Sequence, residues 1–186
     1  MAKIRSGKKA ALLVIDVQNG VVQDAYNRDA VVTNISKVIK KARDGTVPII
    51  FVQHTNDDDL PENSAQWQIV KELDIGKEDY RITKRYNSAF EDTGLEKILE
   101  NLSIAEIIIT GAATNWCIRA TSFGALAKGY DLTLISDAHT TEDINVSKDQ
   151  TIHAEDIISE FNIGIKFIEY PGIQTRVASS DELVIT

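Results

Sequence analysis

Cys117 is the chain's single cysteine, and the segment that carries it, TGAATNWC, is rich in small residues suited to a tight strand-to-helix turn. Thr114 or Asn115 can cap a helix that begins there. A thiol in the first turn of such a helix feels the positive end of the backbone dipole, which favours the thiolate. Backbone N–H groups left unpaired at the helix start can also hold an oxyanion. Taken alone, a lone cysteine reads as a small buried hydrophobe. Two other residues change that reading. Asp16 closes the apolar run AALLVID and is placed to take a proton from a thiol. Lys84 follows DYRIT in the cluster TKRYNSAF, where it would keep the carboxylate ionised and stabilise a thiolate. Cysteine, carboxylate and ammonium together have the types needed for acyl transfer through a covalent thioester.

These residues need elements that bring them together. Five short runs are almost wholly apolar: AALLVID (10–16), VPIIFVQ (47–53), AEIIIT (105–110), DLTLIS (131–136) and IGIKFIE (163–169). Strands with both faces buried read this way, as in a parallel sheet covered by helices. Between them lie helical periods. In RDAVVTNISKVIKKARDG, Val31, Val32, Ile35, Val38, Ile39 and Ala42 form one stripe, with Gly45 as the stop. TGLEKILENLS, TNWCIRATSFGALAKGYD up to Gly129 and DQTIHAEDIISEFNIG up to Gly164 are the other helical stretches. Strand alternating with helix predicts an α/β fold, three layers (α/β/α) around a doubly wound, mostly parallel sheet. Ligands of such sheets bind beyond the carboxyl ends of the strands, which is where Asp16, Lys84 and Cys117 fall. Residues 54–80 are polar and acidic with no clear period, a long loop of the kind that is either functional or disordered. The residues from about Ile173 onward are polar and read either as a loosely held tail or as a segment that reaches across to a partner.

Composition narrows the class. The 186 residues fit one domain, 1–186, with its core at about 10–170. A net charge of −8 argues against nucleic-acid binding, which needs a basic face. One cysteine and three scattered histidines make a poor zinc set, and no metal or other cofactor is expected. The basic start MAKIRSGKKA leads into an apolar run that ends at Asp16, short of a secretory h-region of about 7–15 residues. No run approaches the roughly 18 apolar residues of a membrane span. A cytoplasmic protein with a small-molecule substrate, and neither nucleic acid nor membrane as partner, is the expectation.

LLVIDVQNG, KRYNSAF and ITGAATNWCIRATSFGALAKGYDLTLISDAHTTED, in this order, resemble the isochorismatase-like cysteine hydrolases from about residue 10 to 170. The resemblance implies a six-stranded sheet, an Asp–Lys–Cys triad at Asp16, Lys84 and Cys117, and a homodimer or homotetramer. It also implies a cis peptide at Ala112–Ala113, with the N–H groups of Ala113 and Cys117 facing the oxyanion. Nicotinamidases of this superfamily bind zinc through an Asp-x-His pair and further histidines after the second strand. The matching stretch here, QHTNDDDLPEN, has His54 alone.

An intact Cys117 favours hydrolysis of an amide, lactam or ester over the vinyl-ether chemistry of isochorismatases proper. The wording of QNG, QHTND and DAHTTED is similar to small amidohydrolases of the streptothricin-hydrolase kind. Candidate pocket residues are Asn19, Gln23, His54, Trp67, Tyr86, Phe90, Asn115 and Trp116, with ordinary core packing as the plain alternative for Trp67 and Phe90. A second hypothesis keeps the pocket without hydrolysis, as a ligand-binding or thiol-sensing module in which Cys117 is alkylated or oxidised readily.

Overall fold

The structure, a computed structural model, describes Arg5, Gly7 and residues 9–185. Most of the basic start therefore lies outside the described residues. Six strands form one sheet: β1 (Lys9–Ile15), β2 (Ile49–His54), β3 (Tyr80–Lys84), β4 (Ile104–Ala112), β5 (Asp131–Thr140) and β8 (Thr175–Ala178). Their order is β3-β2-β1-β4-β5-β8, and every neighbouring pair is parallel. The chain winds outward from β1 to β3, then returns to the other side of β1 for β4. That reversal opens a crevice between the carboxyl ends of β1 and β4.

Alternation along each strand divides the apolar side chains between two faces. Leu12 and Val14 of β1, Ile49 and Phe51 of β2 and Ile108 of β4 pack against Val31, Ile35, Val38 and Ile39 of helix α2 (Arg28–Asp44). Leu13, Ile15, Ile50, Val52, Ile107 and Ile109 face the other way. There they meet Leu95 and Leu99 of α3 (Leu95–Asn101), Ala125 and Leu126 of α4 (Arg119–Ala127), and Phe161 and Ile165 of α5 (Ala154–Phe167). Each fully buried Val, Leu or Ile contributes about 1.5–3 kcal/mol, so these near-continuous apolar runs are stable only between two layers of helix. Helix α2 has the predicted stripe, with Asp29 in its first turn and Lys41 and Arg43 in its last, matching the helix dipole. Gly45 caps it, donating to Lys41 O at 3.0 Å.

Three expectations fail at the C-terminal end. IGIKFIE is not a strand. Helix α5 runs through Gly164 to Phe167, because Ile157, Phe161 and Ile165 extend one buried stripe at four-residue spacing. Packing of that stripe outweighs the cost of a helical glycine, about 1 kcal/mol. DQTIH does not open this helix; Gln150–Ile152 is β7, paired antiparallel with β6 (Ile144–Ser147) in a separate hairpin. The sixth strand of the main sheet is TRVA in the supposed tail, paired with Leu132–Ile135 of β5. An edge strand touches one neighbour and needs little apolar content, so its polar sequence hid it.

The turn leaving β4 is tightly constrained. Gly111 has φ +122°, and a Cβ there would stand 2.0 Å from the backbone oxygen of Ile15. Gly111→Ala is expected to lower unfolding stability by about 3 kcal/mol or more. A urea midpoint unchanged from wild type would show that β1 and β4 do not approach this closely.

Candidate active site

Three strand ends and one turn converge at the crevice. Asp16 leaves β1 in a left-handed conformation, φ +51°, which Asp tolerates better than most residues. Its N–H is tied to Val52 O at 2.8 Å. His54 and Lys84 are the last residues of β2 and β3, opposite one another in register. Cys117 lies in one π turn, Thr114–Ile118, that precedes α4, just after the cis Ala112–Ala113 peptide. Because β2 separates β3 from β1, a side chain starting on β3 must cross a full strand spacing to reach Asp16. The four-carbon stem of lysine does so.

Lys84 Nζ stands 2.7 Å from Asp16 Oδ2, 3.1 Å from Cys117 Sγ and 3.1 Å from His54 Nδ1. The side chains of Lys84 and Asp16 are 0% and 1% exposed. Burial raises the Asp16 carboxyl above the ordinary carboxylate range, while the charge of Lys84 and a hydrogen bond with Cys117 pull it back. Burial and the neighbouring Asp16 charge push the Cys117 thiol up to about 12, against the opposing pull of Lys84. This corrects the expectation of a thiolate lowered by the helix dipole: loss of solvation outweighs the partial charge of a five-residue turn. Cys117 rests as a thiol. Burial, then the Lys84 ammonium, holds His54 below the usual histidine range, so its ring is neutral.

The cap expectation is also corrected. Neither Thr114 nor Asn115 caps the helix by its side chain; Ala113 is the N-cap. Thr114 Oγ1 instead donates to His139 Nδ1 at 2.9 Å. The tautomer follows from the far side, where Asn162 Nδ2 donates to Ser136 O and so leaves Oδ1 to accept from His139 Nε2 at 3.0 Å. Burial lowers His139 to about 4, in keeping with a neutral ring. Asn115 Oδ1 accepts from Thr141 Oγ1 at 2.6 Å.

The other candidates divide. Asn115 and the exposed Trp116 line a groove of about 240 Å³ with Val21, Ala113 and Thr141, beside the turn. Tyr86 is exposed two residues beyond Lys84. Phe90 is buried in the same apolar cluster as Cys117, stacked 6.0 Å from the Tyr130 ring, so it has the packing role named as its plain alternative. Asn19 holds Ala65 O, and Gln23 is exposed near Asp24. Trp67 offers its carbonyl to the side chains of Gln18 and Gln53, and its indole N–H is buried without a partner among the described residues.

Gln18 was not singled out in the sequence. It is fully buried and clasps His54 at two points, donating to its carbonyl at 2.9 Å and accepting from its N–H at 2.7 Å. An amide two residues after the strand-end carboxylate, inside VQNG, was the available signal. A groove of about 1040 Å³ lies at the opposite rim around Arg43, Pro48 and Tyr80 and contains none of the reactive groups.

Donor atoms of Asp16, His54 and Cys117 lie within 4.8 Å of one another, a spacing compatible with a metal ion. The set does not fit one, because the Lys84 ammonium stands within 3.1 Å of all three residues and would repel a second cation. No helix among the described residues is long and apolar enough to cross a membrane.

Two measurements test these electrostatics. The alkylation rate of Cys117 by iodoacetamide is expected to keep climbing above pH 9. A plateau reached by pH 7 would mean that the thiol is acidic after all. Asp16 has a raised folded pKa, so its contribution to stability is present below about pH 4 and is lost as pH rises through the raised value. Lys84→Met removes the opposing cation and raises that pKa further. The deficit of the variant in unfolding free energy should widen from pH 5 to pH 8, by at most about 1.4 kcal/mol per pH unit, as read from urea unfolding. A deficit independent of pH would mean that the Asp16 charge is not compensated by Lys84.

The sequence profile of the isochorismatase domain matches residues 10–156. A protein of Arabidopsis thaliana named "probable inactive nicotinamidase" is 29% identical over 185 residues, 86% of this chain and 91% of that protein. Streptothricin hydrolase of Streptomyces noursei is 30% identical over 149 residues, 75% of this chain and 52% of that protein. The crystal structure of an isochorismatase from Pseudomonas putida superimposes with a TM-score of 0.82 at 26% identity, over 96% of this chain and 93% of that one. The matched profile takes in the ends of β1 and β3 and the turn after β4, and with them Asp16, Lys84 and Cys117: the chain belongs to the isochorismatase family.

Proposed function

We propose that the chain is a metal-independent hydrolase that opens a small-molecule amide, lactam or ester through a thioester on Cys117. The observation that carries this reading is the buried ammonium of Lys84, in contact with both Asp16 and Cys117. Attack begins from the thiol. As Cys117 Sγ bonds to the substrate carbonyl carbon, its proton passes to Asp16, whose raised pKa makes it a stronger base than a solvated carboxylate. Lys84 keeps its proton and balances the charge on Asp16 and then on sulfur.

The carbonyl oxygen becomes an oxyanion facing the N–H groups of Ala113 and Cys117. The Ala113 N–H donates to no backbone carbonyl among the described residues, which leaves it available. Collapse breaks the C–N or C–O bond, and the leaving amine or alkoxide takes the proton from Asp16. Water then attacks the thioester with Asp16 again as base, releasing a carboxylic acid and restoring the thiol. The relative named streptothricin hydrolase supports hydrolysis as the reaction.

The relative named as inactive favours a second reading, a pocket that binds without turnover. The high thiol pKa weighs against its thiol-sensing form, since oxidation requires thiolate.

Incubating the protein with small primary amides, lactams and activated esters should give an acyl adduct in the intact mass, absent in Cys117→Ala. Asp16→Asn is expected to lower the acylation rate by about 10²–10⁴-fold, the usual contribution of a positioned acid–base group. An adduct that survives Cys117→Ala overturns the proposal, and no adduct with any of the three substrate types favours the binding reading.

A further inference from the structure

We infer that His54 joins the site in two capacities: its Nδ1 fixes the orientation of Lys84, and its Nε2–H binds a hydrogen-bond acceptor of the substrate next to the reacting carbonyl. This deepens the hydrolase reading and rests on it. The Lys84 ammonium has three partners: it is ion-paired with Asp16 at 2.7 Å and hydrogen-bonded to Cys117 and His54 at 3.1 Å each. Without the third, the ammonium could rotate away from sulfur. Nδ1 accepts only when it carries no proton, so the ring is neutral and its single proton is on Nε2.

The ring is also held in place from its own backbone. Gln18 binds the His54 N–H and carbonyl together, and is anchored in turn on Trp67 O at 2.8 Å. Nε2 has no hydrogen-bond partner among the described residues, and the His54 side chain is only half-buried. A ligating nitrogen of the ring lies within 4.8 Å of Cys117 Sγ, so whatever is attached to sulfur lies within reach of the ring. A neutral donor at that point, with a buried ammonium behind it, suits a carbonyl, ether or carboxylate oxygen. It disfavours a cationic amine. The substrate class is therefore an amide, lactam or ester with a second acceptor oxygen beside the scissile carbonyl.

Matched p-nitrophenyl esters test this: the methoxyacetate has an ether oxygen where the isosteric butanoate has a methylene. Wild type, His54→Asn and His54→Gln would be compared, with circular dichroism and Tm as folding controls. Asparagine retains an acceptor near Nδ1 but loses the Nε2–H; glutamine does the reverse. In His54→Asn the methoxyacetate-to-butanoate ratio of kcat/KM should fall by about fivefold or more, the effect of one hydrogen bond. In His54→Gln the ratio should hold while kcat falls on both esters alike.

A wild-type ratio in His54→Asn, with Cys117 acylated normally, overturns the inference and leaves the hydrolase reading standing. No nitrophenolate burst and no acyl-Cys117 in wild type overturns both. The ¹⁵N shifts of the wild-type ring provide a readout that needs no variant to be active. Nε2–H in a neutral ring at pH 7 is expected, and an Nδ1–H tautomer or an imidazolium overturns the inference.

Discussion

A carboxylate and an ammonium with almost no access to water form the constraint on which the site depends. Burying either charge alone costs several kcal/mol. Asp16 and Lys84 are stable there because each is the other's solvation, at 2.7 Å. The pair must then be held to that distance by something stiffer than side chains. Here it is the parallel sheet: Asp16 is tied to β2 through Val52 O, and Lys84 O accepts from the Thr55 N–H beyond the end of β2. Both charges are thus referenced to one central strand.

The order of the strands decides what else reaches that pair. Had the chain continued outward after β3, the turn following β4 would sit at the far edge, away from Asp16. The reversal places β4 directly against β1, so the π turn with Cys117 opens over Asp16. Gly111 allows the close approach, since any Cβ there would occupy the position of the Ile15 carbonyl. Burial then acts on Asp16, Cys117 and His54 at once. It raises Asp16 and Cys117 and lowers His54, so the resting site holds a thiol, a strengthened base and a neutral imidazole around one fixed cation. In this state the sulfur is held as a thiol, the form that resists oxidation.

The sequence went far with local and periodic features. The runs at 10–16, 47–53, 105–110 and 131–136 became strands, because a fully apolar segment has no stable place except between two layers. The α2 stripe and its Gly45 stop were equally plain. It went astray where the stabilising contact is remote. IGIKFIE looks like a strand until Phe161 is seen packing on the sheet as part of α5, and TRVA looks like a tail until β5 supplies its partner.

By itself, then, the sequence determined the alternation of strands and helices, the strand-end positions of Asp16 and Lys84 and the turn carrying Cys117, all of which depend on residue type and spacing within a few neighbours. The tertiary structure decided the protonation states and the company these residues keep: the thiol at Cys117, the three partners around Lys84, and the Gln18 clasp on His54. The physical reason is that desolvation and hydrogen-bond partnership are properties of the packed surroundings. Those surroundings are assembled from strands that lie 30 or more residues apart in the chain.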